Sequence, residues 1–252
     1  MKTYKVTALK MGTLTTDKGS LTRQSGTGTL IDIPIWAAAV EGDSFRMVVD
    51  TGIANEKWVS ENICPCIREA DETMEGALEK IGWEAGKVQA VVNTHLHYDH
   101  CGNNRLFKNA DFYAQRAEWE ASKCPLPHQA VFYAGELFDV RATDGTRLHL
   151  IEGEYALADG IILIPTPGHS AGHQSVLVNT EEGVVCISGD AANVVENVSQ
   201  NIVPDILTNS ADAFTSLENI RRKAEFIIPG HEPAISKFAS SGFPAIHDKR
   251  ML

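Results

Sequence analysis

Apolar and polar positions alternate from Lys2 to Lys10, the period of a half-buried strand. The next stretch, Gly12 to Thr29, is dominated by Gly, Thr, Ser and charged residues and predicts a long loop. Loops of that length in a compact domain are more often functional than idle, so it is expected to wall or cover a site. Ile33 to Val40 and Phe45 to Val49 are apolar runs around Glu41-Gly42-Asp43, the pattern of a hairpin with an acidic turn. Met74, Ala77, Leu78 and Ile81 recur with the spacing of one helical face, and Val88 to Val92 is a near-continuous run expected of a strand covered on both sides. Further strands are predicted at Ala110–Ala114, Ile161–Ile164, Ser175–Val178, Val184–Ile187 and Phe226–Ile228. Helix is predicted over Ala117–Tyr133, broken at Pro125 and Pro127, and over Ala211–Ala224, with Phe214, Leu217 and Ile220 on one face and Ser210 as its cap. No repeat or linker interrupts the 252 residues, which read as one α/β domain.

The formal charge is −11, which disfavours nucleic acid or an anionic membrane as the main partner and is compatible with a small neutral substrate. No apolar run is long enough for a membrane span, and the N-terminus lacks a signal-peptide core, so a cytoplasmic protein is expected, monomeric or homodimeric. The five cysteines do not suggest a disulfide framework. Cys64-Pro65-Cys66 has neither zinc nor thioredoxin spacing, and its cysteines read as loop residues.

The candidate chemistry begins beyond the Val88–Val92 strand. Thr94-His95-Leu96-His97-Tyr98-Asp99-His100 carries four possible ligands whose nitrogen and oxygen donors suit zinc or another borderline divalent metal. His95 and His97 leave one face of an extended chain, and a helix starting after His97 would send Asp99 and His100 in a second direction. Ligand-capable residues follow a strand and a glycine three more times, in Pro167-Gly168-His169, Ser188-Gly189-Asp190 and Pro229-Gly230-His231.

In order and approximate spacing this set resembles the metal signature of the metallo-β-lactamase superfamily. The resemblance implies an αββα sandwich with two metals along one edge: one zinc on His95, His97 and His169, the second on Asp99, His100 and His231, with Asp190 bridging. Cobalt, manganese and iron are alternative metals. Asp50, in Val48-Val49-Asp50-Thr51-Gly52, matches an aspartate that supports the ligands. Ile33-Pro34-Ile35-Trp36, the run from Thr94 to Asn104 and the run from Thr166 to Ser175 look like the N-acyl-homoserine lactone lactonases, which open the lactone ring of bacterial signals. The implied reaction is attack of hydroxide, generated by the metals, on a lactone or ester carbonyl, with Asp99 as a proton shuttle.

The chain departs from that group at Asn193. Some of its members carry there a tyrosine that contacts the substrate carbonyl. An amide donates a hydrogen bond but is no phenolic acid, and Tyr98, inside the ligand loop, is the residue that could replace it. His173 is expected to be hydrogen-bonded rather than a ligand, and Cys101 a buried thiol. His128, His149 and His247 lie in no motif. Gly-x-Ser-x-Gly is absent, which weighs against an α/β-hydrolase. The competing readings are another lactonase or carboxylesterase, a glyoxalase II-like thiolester hydrolase and a non-catalytic metal-binding module. A flavodiiron oxidoreductase is disfavoured because position 97 is His and no chain remains for a flavin domain.

Overall fold

A computed structural model describes residues 1–23, 25–141 and 145–237; His247 lies outside them. Twelve strands form two sheets among the described residues: β1 (Lys5–Asp17), β2 (Leu30–Glu41), β3 (Arg46–Val49), β4 (Cys66–Ile67), β5 (Ala90–Val92), β6 (Asp111–Gln115), β7 (Arg147–Ile151), β8 (Tyr155–Ala158), β9 (Ile161–Pro165), β10 (Gln174–Thr180), β11 (Gly183–Gly189) and β12 (Phe226–Pro229). The first sheet runs β4-β1-β2-β3-β5-β6-β7, antiparallel through β3 and parallel from β3 to β7. The second runs β12-β11-β10-β9-β8, with only the β11–β12 pair parallel.

Alternation along the strands explains the layering. In β5, Ala90 and Val92 join Val6, Ala38, Val40, Met47 and Val49 against Leu163, Val176, Val178, Val185 and Ile187 of the other sheet. Val91 points the opposite way, into a core with Val48, Phe112 and the buried Met74, Ala77 and Leu78 of the helix Met74–Lys80, which is capped by Thr73. On the outer face of the second sheet, Ile164, Leu177, Cys186 and Ile227 cover Ala213, Leu217 and Ile220 of the helix Ser210–Lys223. The result is the expected helix–sheet–sheet–helix order.

Several local expectations are corrected. Gly12 to Thr29 is only partly a loop: β1 continues to Asp17, paired with β2 as far as Leu30, past a bulge where the register shifts between Lys10 and Thr13. Gly12 has φ +130° at that point, a backbone that other residues rarely adopt. The β-branched threonines suit the extended arm, and Thr15 Oγ1 donates to Asp32 Oδ1 across it at 2.6 Å. One helical turn, Lys18–Leu21, completes the arm, with Asp17 accepting from Gly19 N at 2.7 Å.

Cys66 lies in a short strand rather than a loop, paired with Leu14. The cap of the last long helix is Asn209, not Ser210, since the Asn209 side chain accepts from Ala211 N and Asp212 N. Phe214 sits at the rim of that helix at 40% exposure, while Ala213 and Ser216 take the inner face beside Leu217 and Ile220. The edge strands β7 and β8 had no expectation behind them.

Candidate metal centre

The ligand-capable residues all emerge from strand ends on one edge of the sandwich. His95, His97, Asp99 and His100 follow β5, with Asp99 and His100 on a single helical turn, Tyr98–Cys101; His169 follows β9, Asp190 follows β11 and His231 follows β12. The preceding glycines have a steric reason. A side chain on Gly230 would place its Cβ 2.2 Å from Asp190 Oδ1, and one on Gly168 would strike the Ala213 backbone at 2.4 Å. Only bare backbone lets these turns pass closely enough to bring their neighbours together.

Two groups of donors result. His95, His97 and His169 form one, and Asp99, His100, Asp190 and His231 the other; within each group the ligand atoms lie within 4.8 Å of one another. Asp190 faces both, with Oδ1 3.2 Å from the Nε2 atoms of His100 and His231 and Oδ2 3.5 Å from His169 Nε2. Asp99 Oδ2 is 3.7 Å from the Nε2 atoms of both His100 and His231.

Outward-facing hydrogen bonds orient the rings. His100 Nδ1 meets Asp50 Oδ2 at 2.8 Å, His231 Nδ1 meets Pro34 O at 2.9 Å, His169 Nδ1 meets Ile206 O at 2.9 Å and His95 Nδ1 meets Thr94 Oγ1 at 3.1 Å. With Nδ1 engaged outside, Nε2 of each ring is turned toward its neighbours. Asp50 also accepts from Thr94 N and Thr94 Oγ1, both at 2.7 Å, and is held at φ +60°.

His173 is bound within the frame. Asp190 N donates to its Nε2 at 3.1 Å, and its Nδ1 leads through Thr166 and Ser175 to the carbonyl of Ser188. The direction of that chain fixes the tautomer: Nδ1 carries the proton and Nε2 accepts. Cys101 is buried and donates to the carbonyls of Leu96 and His97. His128 reaches Leu207 O, and His149 stacks on Tyr113 in β6, away from the donor groups.

The electrostatics of the two groups differ. Burial holds the imidazoles of His95 and His97 well below the ordinary histidine value and lowers His169 as well. Burial also pulls on His100, but the carboxylates of Asp190, Asp99 and Asp50 outweigh it and raise that ring well above its usual value; Asp190 and Asp99 raise His231 in the same way. The same proximity, working against burial, holds the Asp190 carboxyl well below the normal carboxylate range.

The donor set fits a divalent metal on a direct observation. His95 Nε2, His100 Nε2 and Asp190 Oδ1 are buried without any hydrogen-bond partner, a costly state for polar atoms unless a cation takes their lone pairs, and His97 turns its Nδ1 to within 3.1 Å of His169 Nε2. The cavity above them is lined by Leu14, Leu21, Ile33, Ile63, Phe132 and Ile206 on its apolar side, so the β1–β2 arm walls the site as its position suggested. Tyr98, Cys64 and Asn193 also line it, and Asn193 Oδ1 is buried and unpartnered.

Comparison with known proteins agrees with this geometry. The family model described as the metallo-beta-lactamase superfamily matches residues 31–231. The chain belongs to that superfamily. Among individual members, it is 29% identical over 231 residues to an N-acyl homoserine lactonase of a Bacillus species, covering 86% of this chain and 88% of the relative. It is 27% identical over 241 residues to the N-acyl homoserine lactonase AttM of Rhizobium radiobacter, covering 89% and 92%. A solved N-acyl homoserine lactone hydrolase, with the product N-hexanoyl-L-homoserine bound at its catalytic metal center, superposes with a TM-score of 0.80 at 26% identity over 94% of this chain and 97% of that one. As a metallo-beta-lactamase superfamily member with two groups of side chains that could hold metal, the chain is a hydrolase.

Sequence reasoning missed Glu118. This buried carboxylate, on the helix Arg116–Lys123, accepts from Leu96 N, Tyr133 Oη, Ser170 Oγ and Gly172 N. The one signal for it was an acid in a helix's first turn, which is also the ordinary pattern of an exposed helix.

Proposed function

We propose that this protein is a dinuclear zinc lactonase that opens the ring of N-acyl-homoserine lactones. The observation that carries the reading is the pairing of two donor groups with a cavity that has, among its described lining residues, no Lys or Arg. A neutral acylated lactone suits such a wall, whereas a glutathione thiolester carries negative charges that no Lys or Arg among the described lining residues meets. The lactonase relatives and the product-bound neighbour support the same choice.

His95, His97 and His169 would hold one metal and Asp99, His100 and His231 the other, with Asp190 shared. Bound there, two zinc ions supply hydroxide near neutral pH and a Lewis acid for the ester carbonyl. The chain's own residues do the rest. Asp99 stands at the cavity wall beside His100 and His231, where its carboxylate can carry a proton to the leaving oxygen. Asn193 offers an amide at the same wall, able to donate to a carbonyl oxygen. Tyr98 is packed edge-on against Trp58, with ring centroids 5.7 Å apart, and presents a further neutral polar side chain. Leu14, Leu21, Ile33 and Phe132 exclude water around the acyl chain.

The test compares hydrolysis of N-acyl-homoserine lactones of several chain lengths with that of S-lactoylglutathione, simple lactones and aryl esters, using zinc-loaded protein. Preference for acylated lactones is expected, and a preference for the glutathione thiolester overturns the reading.

A further inference from the structure

The buried carboxylate of Glu118 is unusual for what surrounds it. The residue is 1% exposed, makes no ion pair among the described residues, and receives four hydrogen bonds from three separate segments. Oε1 accepts from Leu96 N and from the Tyr133 hydroxyl, both at 3.0 Å; Oε2 accepts from the Ser170 hydroxyl at 2.6 Å and from Gly172 N at 3.1 Å. Leu96 lies between His95 and His97, and Ser170 is the neighbour of His169. All three histidines of the first donor group are therefore attached, through the backbone of Leu96 and the hydroxyl of Ser170 one residue away, to one carboxylate that is not itself a donor.

Two further contacts show that this junction is built rather than incidental. A Cβ on Gly172 would lie 1.9 Å from Glu118 N, so the start of the Arg116–Lys123 helix can approach the His169 loop only across a glycine. Tyr133, held by Glu118, forms an isolated antiparallel bridge with His97 and sets its ring edge-on to the imidazole, centroids 4.7 Å apart. Phe132, beside it, packs 5.2 Å from His97 and lines the cavity.

Burial pushes the Glu118 carboxyl above its ordinary value while its four donors pull it back; the ionised form is costly without a basic partner, and a cation in the adjacent donor group would offset that cost. We propose that Glu118 is a positioning residue of the metal centre: it locks the His95–His97 segment and the His169 loop into one frame, and its negative charge favours a cation in the first donor group. Glu118 thereby sets metal affinity there without touching the metal, and through Tyr133 it ties the same frame to the wall beside the substrate.

This inference rests on the metal-centre reading above, but its test needs no substrate. Glu118→Gln in the full chain removes the charge and turns an amide toward backbone donors that can only donate. Competition with a chromophoric chelator should show one of two zinc ions bound about 10- to 100-fold more weakly, the range typical of lost outer partners. The visible absorption of the cobalt-loaded variant should change for one ion only. Two zinc affinities and a cobalt spectrum equal to those of the unaltered protein overturn the proposal and leave Glu118 a residue of the fold alone.

Should the glutamine variant not fold, Ser170→Ala combined with Tyr133→Phe keeps the charge and removes two of the four donors. A several-fold weakening of one zinc is then expected, and unchanged affinity again overturns the proposal. Unaltered protein that binds two zinc ions but opens no lactone would end the lactonase reading while leaving this one standing.

Discussion

The two donor groups share one edge of the sandwich but are built from opposite materials. His95, His97 and His169 are three imidazoles packed ring against ring, with His95 4.4 Å from His97 and 4.8 Å from His169, and burial keeps them neutral. Asp99, His100, Asp190 and His231 include two carboxylates, with Asp50 behind them as a third, and that surplus draws protons onto His100 and His231. The first group offers lone pairs without charge, and the second offers charge that must first give up protons. The difference teaches that the two positions should not bind metal with equal strength or respond alike to substitution.

Asp190→Asn should break the comparison most completely, because Asp190 faces both groups. Metal content measured by emission spectrometry should fall for both positions. Hydrolysis should drop by more than the roughly 10- to 100-fold expected of an outer partner. Removing all metal with a strong chelator comes next. If each of two zincs is present at about 1,000 times its dissociation constant, ligand linkage predicts a loss of about 8 kcal/mol for the pair, a fall in Tm of about 16 to 32 °C by calorimetry.

Asp50→Asn sharpens the contrast. It deprives His100 of a direct partner and reaches His95 only through Thr94. One zinc should weaken by about 10- to 100-fold and the other by less, and equal weakening in a chelator titration would contradict the asymmetry. The smallest effect is expected from Gln129→Ala, which removes a 2.8 Å hydrogen bond to His169 O on the imidazole side. It should cost about 1 kcal/mol in denaturant unfolding and leave both metals bound.

What the sequence disclosed depended on how local each signal was. The His95–His100 run is contained in six residues, and His169, Asp190 and His231 each follow an apolar strand and a glycine, so strand periodicity was enough to find them. Glu118 was invisible because its role exists only where Gly172 lets the helix meet the His169 loop, a contact between distant segments. The β1–β2 arm misled for a related reason. Its threonines pair with Ile31, Asp32 and Pro34 of β2 and stay half-buried while Leu14 alone between them reaches the core, so no strong apolar alternation marks them, and only the pairing of Thr13 to Asp17 with β2 shows a strand. In β7, Arg147 and His149 sit among leucines on an edge strand, where one side needs no cover.

The donors come from the ends of β5 in one sheet and of β9, β11 and β12 in the other. Neither sheet alone can assemble the centre, so it forms only after the two have packed, late in folding and through contacts distant in sequence. A cation held there would act as a clasp between the layers. Its stabilisation belongs to interactions absent until the final state, and so should appear as slower unfolding of the loaded protein rather than as faster folding.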